Sequence, residues 1–313
     1  MTIVVVKPGL QTTIQSRPRT GQRHLGVPSS GPVDALSMAL ANKLVGNAPW
    51  ITALETTLTG ITLAFRCETA IAITGAAARC TLNGEAVEQH RTIEVRSGEV
   101  LVVGAAETGV RSYLAVAGGV EADEVLGSAS TYLTAGFGGH DGRSLVAGDV
   151  LCLQNADVAA PLLETPPDFR MPVPDSWTLR AGHSSETSWL ENPGEMFDQT
   201  FSIANRSDRM GIKLEGRALA INSDGQMPSV PVFPGTIQCT QDGSLYVMAV
   251  DSGTTGGYPR IAKVARIDCH LLGQLRPGNR LKLIHRTDED AARELLEKHA
   301  YWRTWLPDIA DVV

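Results

Sequence analysis

Three neighbouring stretches decide the fold: ITLAFRCETAIAITGA (Ile61–Ala76), CTLNGEAVE (Cys80–Glu88) and TIEVRSGEVLVVGA (Thr92–Ala105). Each is rich in β-branched residues and broken by turn residues, the pattern of short strands. Asn83-Gly84 is the strongest short hairpin signal, because both residues accept the positive φ of a tight turn. RSYLAVAGGV (Arg111–Val120) continues the series and ends on Gly118-Gly119. Strand follows strand with little room for crossover helices. Antiparallel sheets or barrels are therefore expected, not a parallel α/β sheet.

Working outward, two helices stand out. Asp34 precedes Leu36, Ala39, Leu40 and Leu44 at helical spacing, and Gly46 follows as a stop. A second helix is expected from about Asp288 to Trp305. Thr287 and Asp290 resemble a capping box, and Ala292, Leu295, Leu296, His299 and Trp302 form one face. That face is read as core packing outside a barrel rather than a ligand site.

Periodicity is lost from Ala156 to Ser176, where Pro161, Pro166, Pro167, Pro172 and Pro174 cluster. The reading is a first β subdomain over 1–160, a Pro-rich linker over 161–176, and a second β subdomain with the C-terminal helix over 177–313. RTGQRHLG (Arg19–Gly26) and RMGIKLEG (Arg209–Gly216) share Arg-x-Gly-x-[Arg/Lys]-x-x-Gly, one near the start of each half. A duplicated β domain with these segments as equivalent hairpins is the expectation.

Bulk numbers exclude several classes. The 313 residues are enough to bury one large core or two. They are 43% hydrophobic and 19% charged, as in globular proteins, and the formal net charge is -7. With no Lys/Arg cluster, neither a nucleic-acid footprint nor a membrane-surface patch is expected. MTIVVVKPGL reads as a first strand, not a signal peptide. Cys67, Cys80, Cys152, Cys239 and Cys269 are odd in number and hold no Cys-x-x-Cys pair. That usage suits a reducing cytoplasm.

No P-loop, Gly-x-Ser-x-Gly elbow, His-Glu-x-x-His pair or biotin-attachment segment occurs, and no metal site is expected. The chain reads as part of an enzyme or as a binding protein. Gly138-Gly139, beside Asp141 and Arg143, is read as a tight turn. TTGGYPRIAKV (Thr254–Val264) follows the apolar run LYVMAVDSG, and here the reading leans to function. Consecutive glycines let backbone N–H groups converge on an anion or oxyanion. Tyr258 adds a hydroxyl. Asp251 is either an Asx-turn residue or a carboxylate at the mouth of a sheet. Arg209 is either a surface charge or a fork for a substrate carboxylate. Asn205 and Gln238 cap turns or read an amide.

TTIQ (Thr12–Gln15), GVPSSGPVDALSMALANKLVGN (Gly26–Asn47), ALETTLTG (Ala53–Gly60), SYLAVAGGV (Ser112–Val120), LGSAST (Leu126–Thr131) and GFGGHDGRSLVAGD (Gly136–Asp149) together resemble one family. SDRMGIKLEG (Ser207–Gly216), PGTIQ (Pro234–Gln238), TTGGYPRIAKV and LGQLRPG (Leu272–Gly278) extend the resemblance from about Gly9 to Ile284. It is the carboxyltransferase A/B-subdomain family, also labelled allophanate hydrolase subunit 2, which includes the C component of 5-oxoprolinase. The resemblance implies two cyclophilin-like β-barrel subdomains. It also implies a C/D-subdomain partner, of the type of allophanate hydrolase subunit 1 or the B component of 5-oxoprolinase, and a lactam-utilisation-type third subunit.

The implied activity is ATP-dependent opening of 5-oxoproline to glutamate by the complex, with no cofactor bound by this chain alone. The alternatives are a biotin-dependent urea/allophanate-type carboxyltransferase component, borrowing its biotin domains, and a non-enzymatic antagonist of a sensor-kinase inhibitor. In either enzymatic case the substrate is a small amide-like carbonyl. Gly256, Gly257 and Tyr258 are the candidate donors to its oxygen, and Thr255 lies beside them. Asp251 orients or accepts a proton, and Arg209 holds a carboxylate. The chain departs from the family pattern at Ser16, Pro18, Ala129 and Gly253, which bears on the substrate.

Overall fold

A computed structural model describes residues 1–155, 159–222 and 227–313. The chain divides into two compact units. The first comprises Met1–Arg19, Ser30–Val173 and Trp302–Val312; the second comprises Thr20–Ser29, Pro174–Tyr301 and Val313. Both units are discontinuous in sequence, and their main segments meet at Val173–Pro174.

The first unit holds β1 (Thr2–Lys7), β2 (Gln11–Gln15), β3 (Ala53–Thr57), β4 (Thr62–Phe65), β5 (Thr69–Leu82), β6 (Glu85–Val87), β7 (Ile93–Val95), β8 (Val100–Val116) and β9 (Val150–Cys152). They form one branched sheet with the path β2-β3-β8-β4-β1-β9, and β5 bridges β6, β7 and β8. All its strand pairs are antiparallel. The hairpin at Asn83-Gly84 forms as expected, with φ of 51° and 85° and Leu82 opposite Glu85. Alternate residues bury one face: Ile3 and Val5, Leu63 and Phe65, Ile71 and Ile73 share a core with Leu101, Leu114 and Val116.

Helix α1 (Ala35–Leu44) covers the other side of this sheet. Asp34 caps it, accepting from the Ser37 backbone N–H at 3.0 Å and from the Ser37 hydroxyl at 2.6 Å. Gly46, at φ 76°, follows its end. Met38, Ala41 and Leu44 pack on Ala53, Ala72, Tyr113 and Ala115. The Pro-rich stretch is itself packed. Thr165 is fully buried, the Thr92 N–H donates to Leu163 O at 2.9 Å, and Thr165 N–H donates to His90 O at 2.8 Å. Residues 156–158, where the loss of periodicity begins, lie outside the described residues.

The second unit holds β10 (Ser176–His183), β11 (Thr200–Ile203), β12 (Gly211–Glu215), β13 (Val230–Pro231), β14 (Thr236–Cys239), β15 (Leu245–Met248), β16 (Thr255–Gly256), β17 (Arg260–Val264) and β18 (Arg280–His285). Seven of them close a barrel in the order β10-β17-β14-β15-β12-β11-β18, and β13 pairs with β16 in a separate two-stranded ribbon. The barrel closes through one parallel pair, β10 with β18, running from Ser176↔Arg280 to Ala181↔His285. The mainly β architecture with few short helices and a C-terminal helix is therefore present.

Helix α2 is short (Glu195–Asp198), and α3 runs Asp288–Trp302, ending before the expected Trp305; α4 follows at Ile309–Val312. The capping box forms: Asp290 N–H donates to Thr287 Oγ1 at 3.1 Å, and that hydroxyl donates back to Asp290 Oδ2 at 2.9 Å. The inward face of α3 is in part the one expected, with His299 and Trp302 buried and Leu295 half-buried. Ala292 is exposed and Leu296 is 68% exposed, whereas Glu294 and Lys298 turn inward. Glu294 pairs with Arg286 at 2.8 Å and with Arg180, and Lys298 Nζ donates to Ile267 O at 2.9 Å.

The duplication reading of the two glycine segments fails. Arg19–Gly26 is irregular chain with a single 3-10 turn at Arg23–Leu25, whereas Arg209–Gly216 is a turn leading into strand β12. The shared pattern reflects glycine-rich turns in different contexts.

Candidate functional site

The β13–β16 ribbon is the feature on which the candidate residues converge. Val230 lies opposite Gly256 and Pro231 opposite Thr255. Val232 N–H to Thr254 O at 3.0 Å and Met227 N–H to Gly257 O at 3.3 Å extend the pairing at both ends. One arm enters β14 through Phe233 and Gly235; the other leaves β15 through Asp251 and rejoins the barrel at Arg260. The ribbon is thus a strap outside the barrel's own ladder.

Asp251 and Arg209 meet beneath one arm. The Arg209 fork donates through Nε to Oδ2 at 2.7 Å and through Nη2 to Oδ1 at 3.3 Å, and Asp251 N–H donates to Arg209 O at 2.9 Å. Both are buried, at 3% exposure for Asp251 and 4% for Arg209. Local sequence explains the geometry: Asp208 Oδ1 accepts from the N–H groups of Met210 and Gly211 at 2.7 and 3.1 Å, fixing the turn on which Arg209 sits. So neither the surface-charge reading of Arg209 nor the Asx-turn reading of Asp251 describes them.

Gln238 lies on β14 at 5% exposure, where the pairing with β17 shifts register between Ile237 and Gln238. Such an irregularity re-aims a side chain. The Gln238 Nε2 donates to Tyr258 O at 3.0 Å. It also lies where a Cβ on Gly256 would sit, at 2.6 Å. Gly256 is required here for that close approach. Neither Gly256 nor Gly257 has a positive φ, so this pair is not a left-handed turn, whereas Gly138 and Gly139 are at 74° and 67°.

The remaining residues spread along the strap. Thr255 is exposed, Gly257 is half-buried, and Tyr258 is 46% exposed. Asn205 is exposed on the turn between β11 and β12, with no hydrogen bond to Asp251, Gln238 or Tyr258 among the described residues. The structure therefore joins Arg209 with Asp251, and Gln238 with Gly256 and Tyr258, and leaves Asn205 apart.

Three further side chains at the strap carry no signal in the sequence. Glu186 binds Arg260 twice, Oε2 with Nε at 2.9 Å and Oε1 with Nη2 at 2.8 Å. That hydrogen bonding holds the Glu186 carboxyl below its ordinary range and raises Arg260. Arg23 donates through Nη2 to the carbonyls of Val232 and, at 3.4 Å, Gly253; its guanidinium lies 5.1 Å from the Phe233 ring centroid. Burial lowers the Arg23 pKa. The Ser252 hydroxyl, at 1% exposure, has no hydrogen-bond partner among the described residues. No spacing in the sequence ties Glu186 or Arg23 to residues so distant along the chain.

Among the described residues no group of three His, Cys, Asp or Glu side chains is placed to hold a metal ion, and no helix is long and apolar enough to cross a membrane. The two arginine forks flanking the strap, Arg209 and Arg260, are already engaged by Asp251 and Glu186.

Residues 25–285 match the model of the carboxyltransferase domain, subdomain A and B. The C component of 5-oxoprolinase from Escherichia coli is 31% identical over 305 residues, covering 95% of this chain and 96% of that protein. The urea amidolyase of Saccharomyces cerevisiae is 35% identical over 302 residues, covering 90% of this chain but 16% of that protein. The crystal structure of the Kluyveromyces lactis urea carboxylase superposes with a TM-score of 0.90 at 31% identity, covering 96% of this chain and 29% of the other. The chain thus spans less than a third of the urea-acting proteins it matches. With the fold, the strap and the matched residues taken together, the chain belongs to the carboxyltransferase A/B-subdomain family.

Proposed function

We propose that this chain is one component of an ATP-dependent complex of the 5-oxoprolinase type, hydrolysing the lactam of 5-oxo-L-proline to give L-glutamate. The observation that carries the reading is the strap: it carries Gly257 and Tyr258, Gln238 is bonded to the Tyr258 carbonyl, and the buried Asp251, paired with Arg209, lies on the arm that leads into it. Similarity to the C component of a 5-oxoprolinase, over nearly the whole of both chains, supports it.

Water attack on the lactam carbonyl moves charge onto its oxygen, and the C–N bond then breaks with proton delivery to nitrogen. Donors fixed before the reaction stabilise that oxygen at no reorganisation cost. Gly257 N–H and the Tyr258 hydroxyl fill this role. Gly256 lets Gln238 reach the Tyr258 carbonyl and hold the strap in register. Asp251 and Arg209 act as one unit, with the carboxylate oriented by the fork. Thr255, exposed on the strap, is assigned to the substrate's rim. In this reading ATP is a substrate of the assembled complex.

The partners in this reading are a C/D-subdomain protein and a lactam-utilisation-type subunit, and the setting is cytoplasmic. The second reading, a carboxyltransferase component using biotin carried on another domain and urea as acceptor, is favoured by the likeness to the urea carboxylase structure. Reconstitution separates the two. The chain is combined with the two partner proteins, and glutamate release from 5-oxoproline with ATP is measured. The same chain is offered a carboxylated biotin carrier and urea. Turnover only in the second mixture overturns the 5-oxoprolinase assignment.

A further inference from the structure

We infer that Arg23 and Arg260 are positioning residues that hold the strap, and with it Gly257 and Tyr258, against the barrel; this rests on the proposed role of those two donors. The two guanidinium groups bind consecutive carbonyls of the same arm. Arg260 Nη1 donates to Pro231 O at 3.0 Å, and Arg23 Nη2 donates to Val232 O. Pro231 is the residue opposite Thr255, and Val232 N–H bonds Thr254 O. Each arginine therefore grips the arm at a residue paired directly with TTGGY.

The strap needs such ties. Its two strands are two residues each and among the described residues pair with one another alone, and a ribbon of that length is not stable by itself. Arg260 is itself fixed. Glu186 takes Arg260 in a bidentate pair and also accepts from the Arg260 backbone N–H at 3.0 Å. Arg23 sits in a 3-10 turn closed by Gly26, at φ 79°, whose N–H donates to Arg23 O at 3.0 Å. Its guanidinium also reaches the Gly253 carbonyl, so one side chain touches both arms. A charged donor on a carbonyl is among the stronger hydrogen bonds, and a donor misplaced by an ångström loses much of its effect on a developing oxyanion.

The test uses the full chain with Arg23→Gln, Arg23→Lys, Arg260→Gln and Arg260→Lys. Amide hydrogen exchange is followed for residues 230–233 and 253–258, with strands β14 and β15 as internal reference. Each Gln variant is expected to speed exchange of the strap by about tenfold or more while the reference strands keep their protection. Each Lys variant, which keeps the charge but not the fork, is expected to fall between. In the reconstituted complex kcat should drop about tenfold with KM within about twofold. Unchanged strap exchange, or equal loosening of the reference strands, overturns the inference. So does a raised KM at unchanged kcat, which marks direct substrate binding. If the wild-type complex fails to turn over 5-oxoproline, the proposed function falls, and the exchange data still decide whether the arginines hold the strap.

Discussion

Arg209 and Asp251, 42 residues apart in sequence, form a buried two-point ion pair whose backbones are also hydrogen-bonded. Removing one member strands the other in a low-dielectric setting, which costs more than the pair contributes. Asp251→Asn or Arg209→Met should each lower unfolding free energy by about 3–5 kcal/mol. The double variant Arg209→Met/Asp251→Asn should lose less than the sum. Urea unfolding of the four proteins measures this; additive losses mean that the two side chains do not act as a unit.

The two glycines of the strap should respond differently to alanine. A Cβ on Gly256 falls 2.6 Å from Gln238 Nε2, and that amide is buried and engaged with Tyr258 O. Gly256→Ala should cost about 1–3 kcal/mol. At Gly257 the nearest atom is Met227 O at 3.2 Å and φ is not positive, so Gly257→Ala should cost less than about 1 kcal/mol. Activity of the assembled complex should fall in both. Equal stability losses contradict this account of Gly256.

Part of this is legible in the sequence. Asn83-Gly84, Asp34 and Thr287/Asp290 announce a hairpin and two helix starts because turn and cap chemistry is local. The strand runs announce a mainly β chain because burial alternates along one strand. The pairings at the strap are not legible. Gln238 reaches Tyr258 across a register irregularity, and Arg23 reaches Val232 from the far end of the chain. Closure of a barrel determines such contacts, and no periodicity records them. On α3 the burial of His299 and Trp302 is legible, but Glu294 and Lys298 look solvent-facing until their partners Arg180, Arg286 and Ile267 are known.

Acid should weaken the fold through His270 before the carboxylates titrate. Burial, and then the Lys298 ammonium with Nζ 3.2 Å from Nε2, holds the His270 pKa well below 6.5. Facing it besides Lys298 is the backbone of Ile267. In the unfolded chain the imidazole protonates near 6.5, so the unfolded state binds the extra proton first. Stability contributed by the neutral ring is full above that value and is lost as pH falls below it, by up to about 1.4 kcal/mol per pH unit. His90, lowered to about 4 by burial and Arg170, adds a similar loss that levels off near pH 4. Unfolding of His270→Gln followed from pH 7 to 4.5 should show a shallower decline than wild type. Parallel curves assign the acid sensitivity elsewhere.

A second pH effect has its window lower. Hydrogen bonding from Arg143, at 2.8 and 2.9 Å, holds the Asp149 carboxyl at about 2, against partial burial; the Val146 N–H adds to the effect. A depressed carboxylate stabilises the fold above its unfolded pKa near 3.9, and this is lost as pH falls through 2. The melting temperature of Arg143→Gln should lie below wild type at pH 6, and the two should converge near pH 2. A constant offset down to that pH places the Arg143 contribution outside this pair.

Without its partners the chain should be folded but inactive. The strap offers donors and a buried ion pair, but Arg209 and Arg260 are committed to Asp251 and Glu186, and the set provides no described cluster for a phosphate group. Under the proposed function the phosphate chemistry and the rest of the site come from the partner subunits. The purified chain should therefore unfold cooperatively yet release no glutamate from 5-oxoproline, with or without ATP. Adding the C/D-type partner and the third subunit should restore turnover. The lasting interface this requires buries about 2,000 Å² or more and is partly apolar. Phe233, 49% exposed, and Tyr258, 46% exposed, are the strap residues to probe for it. Phe233→Ser should weaken assembly in a pull-down while leaving the chain's own melting temperature within a few degrees. Glutamate release by the chain alone shows instead that one polypeptide holds the whole active site.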